Sequence, residues 1–177
     1  MEHPASLTCC FTGHRTVPVG EKAQIEGALL KAIALLYTKG YRHFIAGGAL
    51  GFDTMAAVAV LAAKAQYPAC DVRLELFLPC RDQTKGWRPE DVRRYEDILR
   101  RADAVVYASE AYTRTCMHLR NRMLVDGSDL CLAYLYEYRG GTHYTCTYAQ
   151  DQHVPVLNLV SLLEDRKGNT TQGATER

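Results

Sequence analysis

Apolar and polar positions along this chain follow two alternating rhythms. Short, nearly continuous apolar runs at residues 7–11, 43–46, 72–78, 104–107, 130–135 and 154–160 read as strands buried on both faces. Between them lie longer segments with helical spacing. In 21–39, Ile25, Leu29, Ala32, Ile33 and Leu36 recur at three- and four-residue steps, which paints one apolar face on a helix. Gly40 is a natural stop for it. Helices are also predicted over 52–66, 89–100, 115–125 and 140–152, with Pro89 at a first turn and Pro68 marking an exit. Pro155 suggests that the sixth strand lies at a sheet edge.

Strand and helix alternate throughout. That order predicts an α/β fold: a mostly parallel sheet of about six strands with helices on both faces. Residues 1–165 read as one domain, and the polar run 166–177 as a disordered tail. In such sheets a ligand sits at the carboxyl ends of the strands, at the point where the strand order reverses. Three short motifs follow strands and so fall on that rim. They are Thr12-Gly13-His14-Arg15, Gly47-Gly48-Ala49-Leu50-Gly51-Phe52-Asp53 and Gly140-Gly141-Thr142.

Composition narrows the picture without redirecting it. The chain has 177 residues and a formal net charge of +1, so bulk charge gives no reason to expect a nucleic acid or membrane partner. No apolar stretch approaches the roughly 18–20 residues of a membrane span, and the amino terminus lacks a signal-peptide pattern. The seven cysteines are odd in number, with no C-x-x-C pair, which argues against a disulfide framework or a zinc knuckle. Cys9, Cys10 and Cys131 sit in apolar runs and read as core. The cytoplasm is the expected setting.

The glycine loop carries the clearest chemistry. Strand, glycine loop and helix in succession aim backbone N–H groups and a helix dipole at one point, a ready site for phosphate. Gly47 and Gly48 permit a sharp turn, and Gly51 is expected to let a ligand approach the backbone. Asp53 either caps the helix or binds a ribose hydroxyl. The loop lacks G-x-G-x-x-G spacing, so NAD redox chemistry is not implied. Arg15 suits bidentate phosphate binding, with Thr12, Gly13 and His14 as neighbouring donors. Trp87, Tyr95 and Tyr112 are candidates for stacking on a base. Arg120 and Asn121 are adjacent on a helix, about 100° apart, so the run Arg120-Asn121-Arg122 is not expected to face one site as a whole.

These motifs, with Leu119-Arg120-Asn121-Arg122-Met123, resemble the SLOG superfamily over roughly residues 7–160. That group includes DNA-processing protein A and the Lonely-guy proteins, and the resemblance is narrowest to the YpsA-like family. It implies a Rossmann-like three-layer sandwich. It also implies a nucleotide pocket built from Thr12, Gly13, His14, Arg15, Gly47, Gly48, Ala49, Leu50, Gly51, Asp53, Arg120, Asn121, Gly140, Gly141 and Thr142. The second glycine motif of Lonely-guy proteins is P-G-G-x-G-T-x-x-E. Here Arg139-Gly140-Gly141-Thr142 lacks the proline, the later glycine and any glutamate in the next ten residues, which argues against phosphoribohydrolase activity.

The expectation is therefore a regulatory protein that binds a phosphate- and ribose-containing ligand, with ADP-ribose, NAD or AMP as candidates and no required cofactor or metal. Two alternatives stand beside it. A nucleotide N-glycosidic hydrolase needs a carboxylate near the sugar, for which Asp53 and Glu110 are candidates. A single-stranded DNA-binding protein needs a basic patch, for which Arg114, Arg120 and Arg122 are candidates. A homodimer is expected from the resemblance.

Overall fold

The computed structural model describes residues 6–163, so the tail predicted at 166–177 lies outside the described residues. Six parallel strands form one sheet in the order β4-β3-β2-β1-β5-β6. They are β1 (Leu7–Gly13), β2 (Tyr41–Ala46), β3 (Arg73–Leu78), β4 (Ala104–Tyr107), β5 (Leu130–Tyr134) and β6 (Val156–Asn158). The helices are α1 (Lys22–Thr38), α2 (Phe52–Gln66), α3 (Pro89–Arg101), α4 (Cys116–Asp126) and α5 (Gly140–Asp151).

The two-residue period of the strands divides the core in two. Cys9 and Phe11 of β1, Phe44 and Ala46 of β2, and Leu74, Leu76 and Leu78 of β3 join the large cluster that buries the apolar faces of α1 and α2. Ile98 of α3 packs into the same layer. The intervening Cys10, Ile45 and Cys131 pack on the other face against Leu124 and Val125 of α4 and Ala149 of α5. Both faces are therefore covered, which is why the strands read as continuous apolar runs. All seven cysteines are free thiols, and Cys9, Cys10 and Cys131 are fully buried as expected.

Two boundaries differ from the sequence reading in ways that matter. β1 continues past Phe11, because Thr12 and Gly13 still pair with Ala133 and Tyr134 of β5. The first motif thus begins on the sheet itself. The sixth strand is shorter than 154–160: it is confined to Val156–Asn158, and a helical segment starts at Leu159. Asn158 ends it. Its Nδ2 donates to the Leu135 carbonyl at 2.9 Å, and its Oδ1 accepts from the N–H groups of Leu135 and Val160 at 3.1 and 3.2 Å. Its edge position is as Pro155 suggested. Gly40, at φ +94°, follows the end of α1 as a left-handed stop.

The strand order reverses between β1 and β5. From β1 the chain proceeds outward through β2, β3 and β4, then crosses back to β5 and β6 on the other side. The crevice between the carboxyl ends of β1 and β5 is the switch point where such sheets hold ligands.

Candidate functional site

A cavity of about 700 Å³ opens at this switch point. Thr12, Gly13, His14 and Arg15 line it from the end of β1, and Gly140, Gly141 and Thr142 from the first turn of α5. Ala49 and Asp53 enter from the glycine loop and α2, and Arg120 and Asn121 from α4. The three motifs that follow strands do converge.

Arg120 is the buried cation of the site, only 6% exposed. Its Nη1 donates to the Gly47 carbonyl, and its Nε donates to Asn121 Oδ1 at 2.9 Å. Arg120 and Asn121 therefore act as a hydrogen-bonded pair on the same cavity, despite their 100° offset, because the long side chain of Arg120 reaches the Asn121 amide. Arg122 does point elsewhere, donating to Tyr144 Oη at 2.8 Å on the outer surface. With Arg120 buried, the surface patch expected from Arg114, Arg120 and Arg122 does not form.

Asp53 is 4% exposed and caps nothing, since α2 has no side-chain capping bond. Its Oδ2 accepts from the Ala49 N–H at 3.4 Å. Burial raises its pKa above the usual carboxylate value, opposed by the positive charge of Arg120 and then by the Ala49 N–H and Arg15. Burial likewise lowers that of Arg120, opposed by Asp53. The absent side chain of Gly47 makes this packing possible, because a Cβ there would collide with the Arg120 guanidinium and lie 2.7 Å from Asp53 Oδ2.

Gly47, Gly48, Leu50 and Gly51 are not among the lining residues of the cavity. The missing side chain of Gly51 serves packing of the chain on itself. Gly51 backs onto the carbonyls of His14 and Arg15, where a Cβ has no room, and its φ is +75°. Thr142 lines the cavity but makes no cap, as α5 begins without one. Glu110 is removed from the site: it is solvent-exposed and ion-paired with Arg81, Nε to Oε2 at 2.6 Å. A second acidic residue reaches the cavity besides Asp53: Glu137, beside Arg139, whose Nε lies 2.9 Å from Glu137 Oε2. Neither Glu137 nor Arg139 carries a motif signal. The fold brings them in by closing the β5–α5 connection over β1, while Met117, His118 and Leu124 enter from α4.

His14 makes that closure. Its Nε2 accepts from the backbone N–H groups of Tyr136 and Glu137 at 3.3 and 3.1 Å, and its ring lies 4.2 Å from that of Tyr136. An Nε2 that accepts carries no proton, so the ring is neutral with its proton on Nδ1. Burial pushes its pKa below the ordinary 6.5, with Glu137 pulling upward and Arg139 adding to the fall. The unfolded chain thus binds this proton more tightly than the folded one. The contribution of His14 to stability is complete above pH 6.5 and is lost as pH falls toward its lower folded value. His14→Gln keeps an acceptor without proton uptake. Its melting temperature is expected to drop less than that of the native protein between pH 7.5 and 5.5, and parallel pH profiles would remove His14 as the cause.

A second space of about 380 Å³ adjoins the cavity. Asp82, Gln83, Lys85, Trp87 and Tyr112 line it, and Arg15, Ala49, Met117 and Arg120 line both. Trp87 stands edge-on to Tyr95 with ring centroids 5.6 Å apart. Of the three aromatics expected to meet a base, Trp87 and Tyr112 reach this space, and Tyr95 braces Trp87 from behind. Among the described residues, no group of His, Cys, Asp and Glu is arranged to hold a metal, and no helix is long and apolar enough to cross a membrane.

The family model YpsA, described as the YspA SLOG family, matches residues 9–159. The chain belongs to the YspA SLOG family. The family match spans β1 to β6 and every lining residue of the cavity. The chain is similar to a UPF0398 protein of Bacillus thuringiensis (strain Al Hakam), 29% identical over 120 residues. The match covers 67% of this chain and 64% of that relative. UPF0398 proteins of Bacillus cereus match to the same degree. In structure the chain is similar to DNA processing protein A from Helicobacter pylori, with a TM-score of 0.62 at 18% identity, covering 85% of this chain and 63% of that one. DNA processing protein A from Streptococcus pneumoniae gives a TM-score of 0.61 at 16% identity, covering 85% and 49%. At these identities the likeness shows the Rossmann-like fold alone.

Proposed function

We propose that the cavity binds a nucleotide carrying phosphate and ribose, with ADP-ribose or an NAD-derived molecule the favoured form, and that the protein holds this ligand to regulate another process. One observation carries the reading: the buried Arg120, the exposed Arg15 and the opening turn of α5 line a single cavity at the switch point of the sheet. Two guanidinium groups and the positive end of a helix suit a phosphate group. Thr12, Asn121 and the carboxyl of Asp53 beside them suit sugar hydroxyls. The volume lies within the range of small-molecule pockets.

Retention suits the site better than turnover. Glu110 is outside it, Glu137 is neutralised by Arg139, and Asp53 is a buried carboxyl engaged with the glycine loop. Thermal melts with AMP, ADP, NAD and ADP-ribose test the reading. A ligand at one hundred times its Kd adds about 2.7 kcal/mol, which raises Tm by roughly 5–10 °C for a domain of this size. A panel that leaves Tm unmoved overturns the proposal.

A single DNA strand is the second reading, because the H. pylori protein of similar fold binds single-stranded DNA. The groove here offers little to a long polyanion. Glu137 pairs with Arg139, Asp82 sits beside Lys85, and Arg122 is engaged by Tyr144. Binding of an oligonucleotide that weakens steeply with salt would favour this reading over the first.

A further inference from the structure

The two spaces at the rim are one groove with a waist. Each has its own lining, and Arg15, Ala49, Met117 and Arg120 are common to both. The two arginines therefore stand where a ligand would pass from one space to the other. The two ends differ in chemistry. The larger space is walled by hydroxyl, amide and carboxyl groups with the glycines of α5, and it holds no large aromatic ring except His14 and His118. The smaller presents the indole of Trp87 and the ring of Tyr112 beside Lys85, Asp82 and Gln83.

The smaller space is also built rather than incidental. Gln83 Nε2 donates to the Gly48 carbonyl at 2.9 Å, which ties its floor to the glycine loop. Asp82 Oδ1 accepts from the Tyr112 N–H at 3.1 Å, and the Arg81 N–H donates to the Glu110 carbonyl at 3.4 Å. These bonds join the connection after β3 to the connection after β4. Tyr95 holds the Trp87 ring from the side. A flat face is thus held ready at a fixed distance from the arginine waist.

We infer that the groove is bipartite and takes a ligand of two organic ends joined through phosphate. A nucleobase lies on Trp87 and Tyr112, the phosphates cross Arg15 and Arg120 toward the start of α5, and a sugar end occupies the space beside Thr12, Asp53 and Asn121. This rests on the nucleotide reading and goes further, since a mononucleotide fills only one end.

Three probes separate the parts: AMP, ribose 5-phosphate and ADP-ribose, each titrated by calorimetry into the native chain and the Trp87→Ala, Trp87→Phe and Tyr112→Ala variants. Trp87 is the single tryptophan, so its emission reports the base end alone. ADP-ribose is expected to bind at least tenfold tighter than either half. AMP and ADP-ribose are expected to change the emission, and ribose 5-phosphate to leave it unchanged. Trp87→Ala should weaken AMP and ADP-ribose by roughly 10- to 100-fold relative to ribose 5-phosphate, the range for loss of base–aromatic stacking. Trp87→Phe should recover most of that loss, and Tyr112→Ala, at an exposed site where folding is not at risk, should show a smaller one. ADP-ribose binding no tighter than AMP, or Trp87→Ala weakening all three probes equally, overturns the bipartite assignment and leaves the nucleotide reading standing. Failure of all three probes to bind overturns both.

Discussion

Gly51→Val is expected to lower the melting temperature by roughly 4–24 °C, and any loss of binding would follow from displaced loops. Gly51 precedes α2 with φ +75° and ψ −121°, a conformation that costs an L-residue about 1–3 kcal/mol. Its missing Cβ also leaves room for the carbonyls of His14 and Arg15. That close approach lets the Phe52 N–H donate to the His14 carbonyl at 3.2 Å, which docks the start of α2 on the end of β1. Overpacking adds a further ~1–3 kcal/mol. At about 2–4 °C per kcal/mol the sum gives the stated fall. Gly140 provides the contrast. Its φ is also +75°, but a Cβ there would meet nothing within 4 Å, so Gly140→Ala bears the backbone cost alone. Thermal melts of both variants check the argument. A Gly51→Val protein that melts no lower than Gly140→Ala would show that the carbonyl collision is relieved without cost.

The sheet and its order of elements were legible because the central strands β1, β2 and β5 are buried on both faces. Phe44 and Ala46 face one layer of helices and Ile45 the other, so the run at 44–46 is apolar throughout and stands out from the helical spacing around it. The strand β6 was less legible. Its apolar residues continue into the helical segment from Leu159, and only the backbone bonds made by the Asn158 side chain end the strand. A single polar residue inside an apolar run carries that stop, and periodicity does not weigh it.

The loops of the site were legible from strand direction, and Arg15, Asp53, Arg120 and Asn121 from the family resemblance, while the path taken by the Arg120 side chain was not. The loops at Thr12, Ala49 and Gly140 follow strands, and strand direction alone places them on one rim. The 100° offset of Arg120 and Asn121 describes their Cα–Cβ directions. A long guanidinium side chain can cancel such an offset, and here a hydrogen bond between the two draws them together. Glu110 and Glu137 show the same limit. Both follow strands, but only the connection after β5 lies beside β1 at the switch point, where His14 clasps it. Sheet order decides between them, and sheet order is not written in any local motif.

Arg120→Met is expected to abolish nucleotide binding and to cost about 3–6 kcal/mol, because two buried hydrogen bonds from a charged donor are lost at about 1.5–3 kcal/mol each. At roughly 2–4 °C per kcal/mol, Tm should fall by about 6–24 °C. Two groups lose their partner at once, the Gly47 carbonyl and Asn121 Oδ1, and the buried carboxyl of Asp53 loses the positive charge near it. The charge of Asp53 is the part that can be separated from the rest. Its folded pKa already lies above the ordinary 3.8 through burial, and loss of Arg120 removes the strongest opposing influence and raises it further. A carboxyl whose pKa is raised on folding contributes stability below its unfolded value, and that contribution is lost as pH rises through the folded value. The deficit of Arg120→Met relative to the native protein should therefore be larger at pH 7.5 than at pH 5, and comparison at each pH cancels the opposite contribution of His14. Adding Asp53→Asn removes the stranded charge and should restore part of Tm without restoring binding, because the cation proposed to meet the phosphate is still missing. Denaturation and calorimetry on the two single variants and the double variant form a complete cycle. If Asp53→Asn recovers no stability in the Arg120→Met background, the two side chains are not coupled. If the double variant binds nucleotide as the native chain does, Arg120 supports the pocket wall and makes no contact with the ligand.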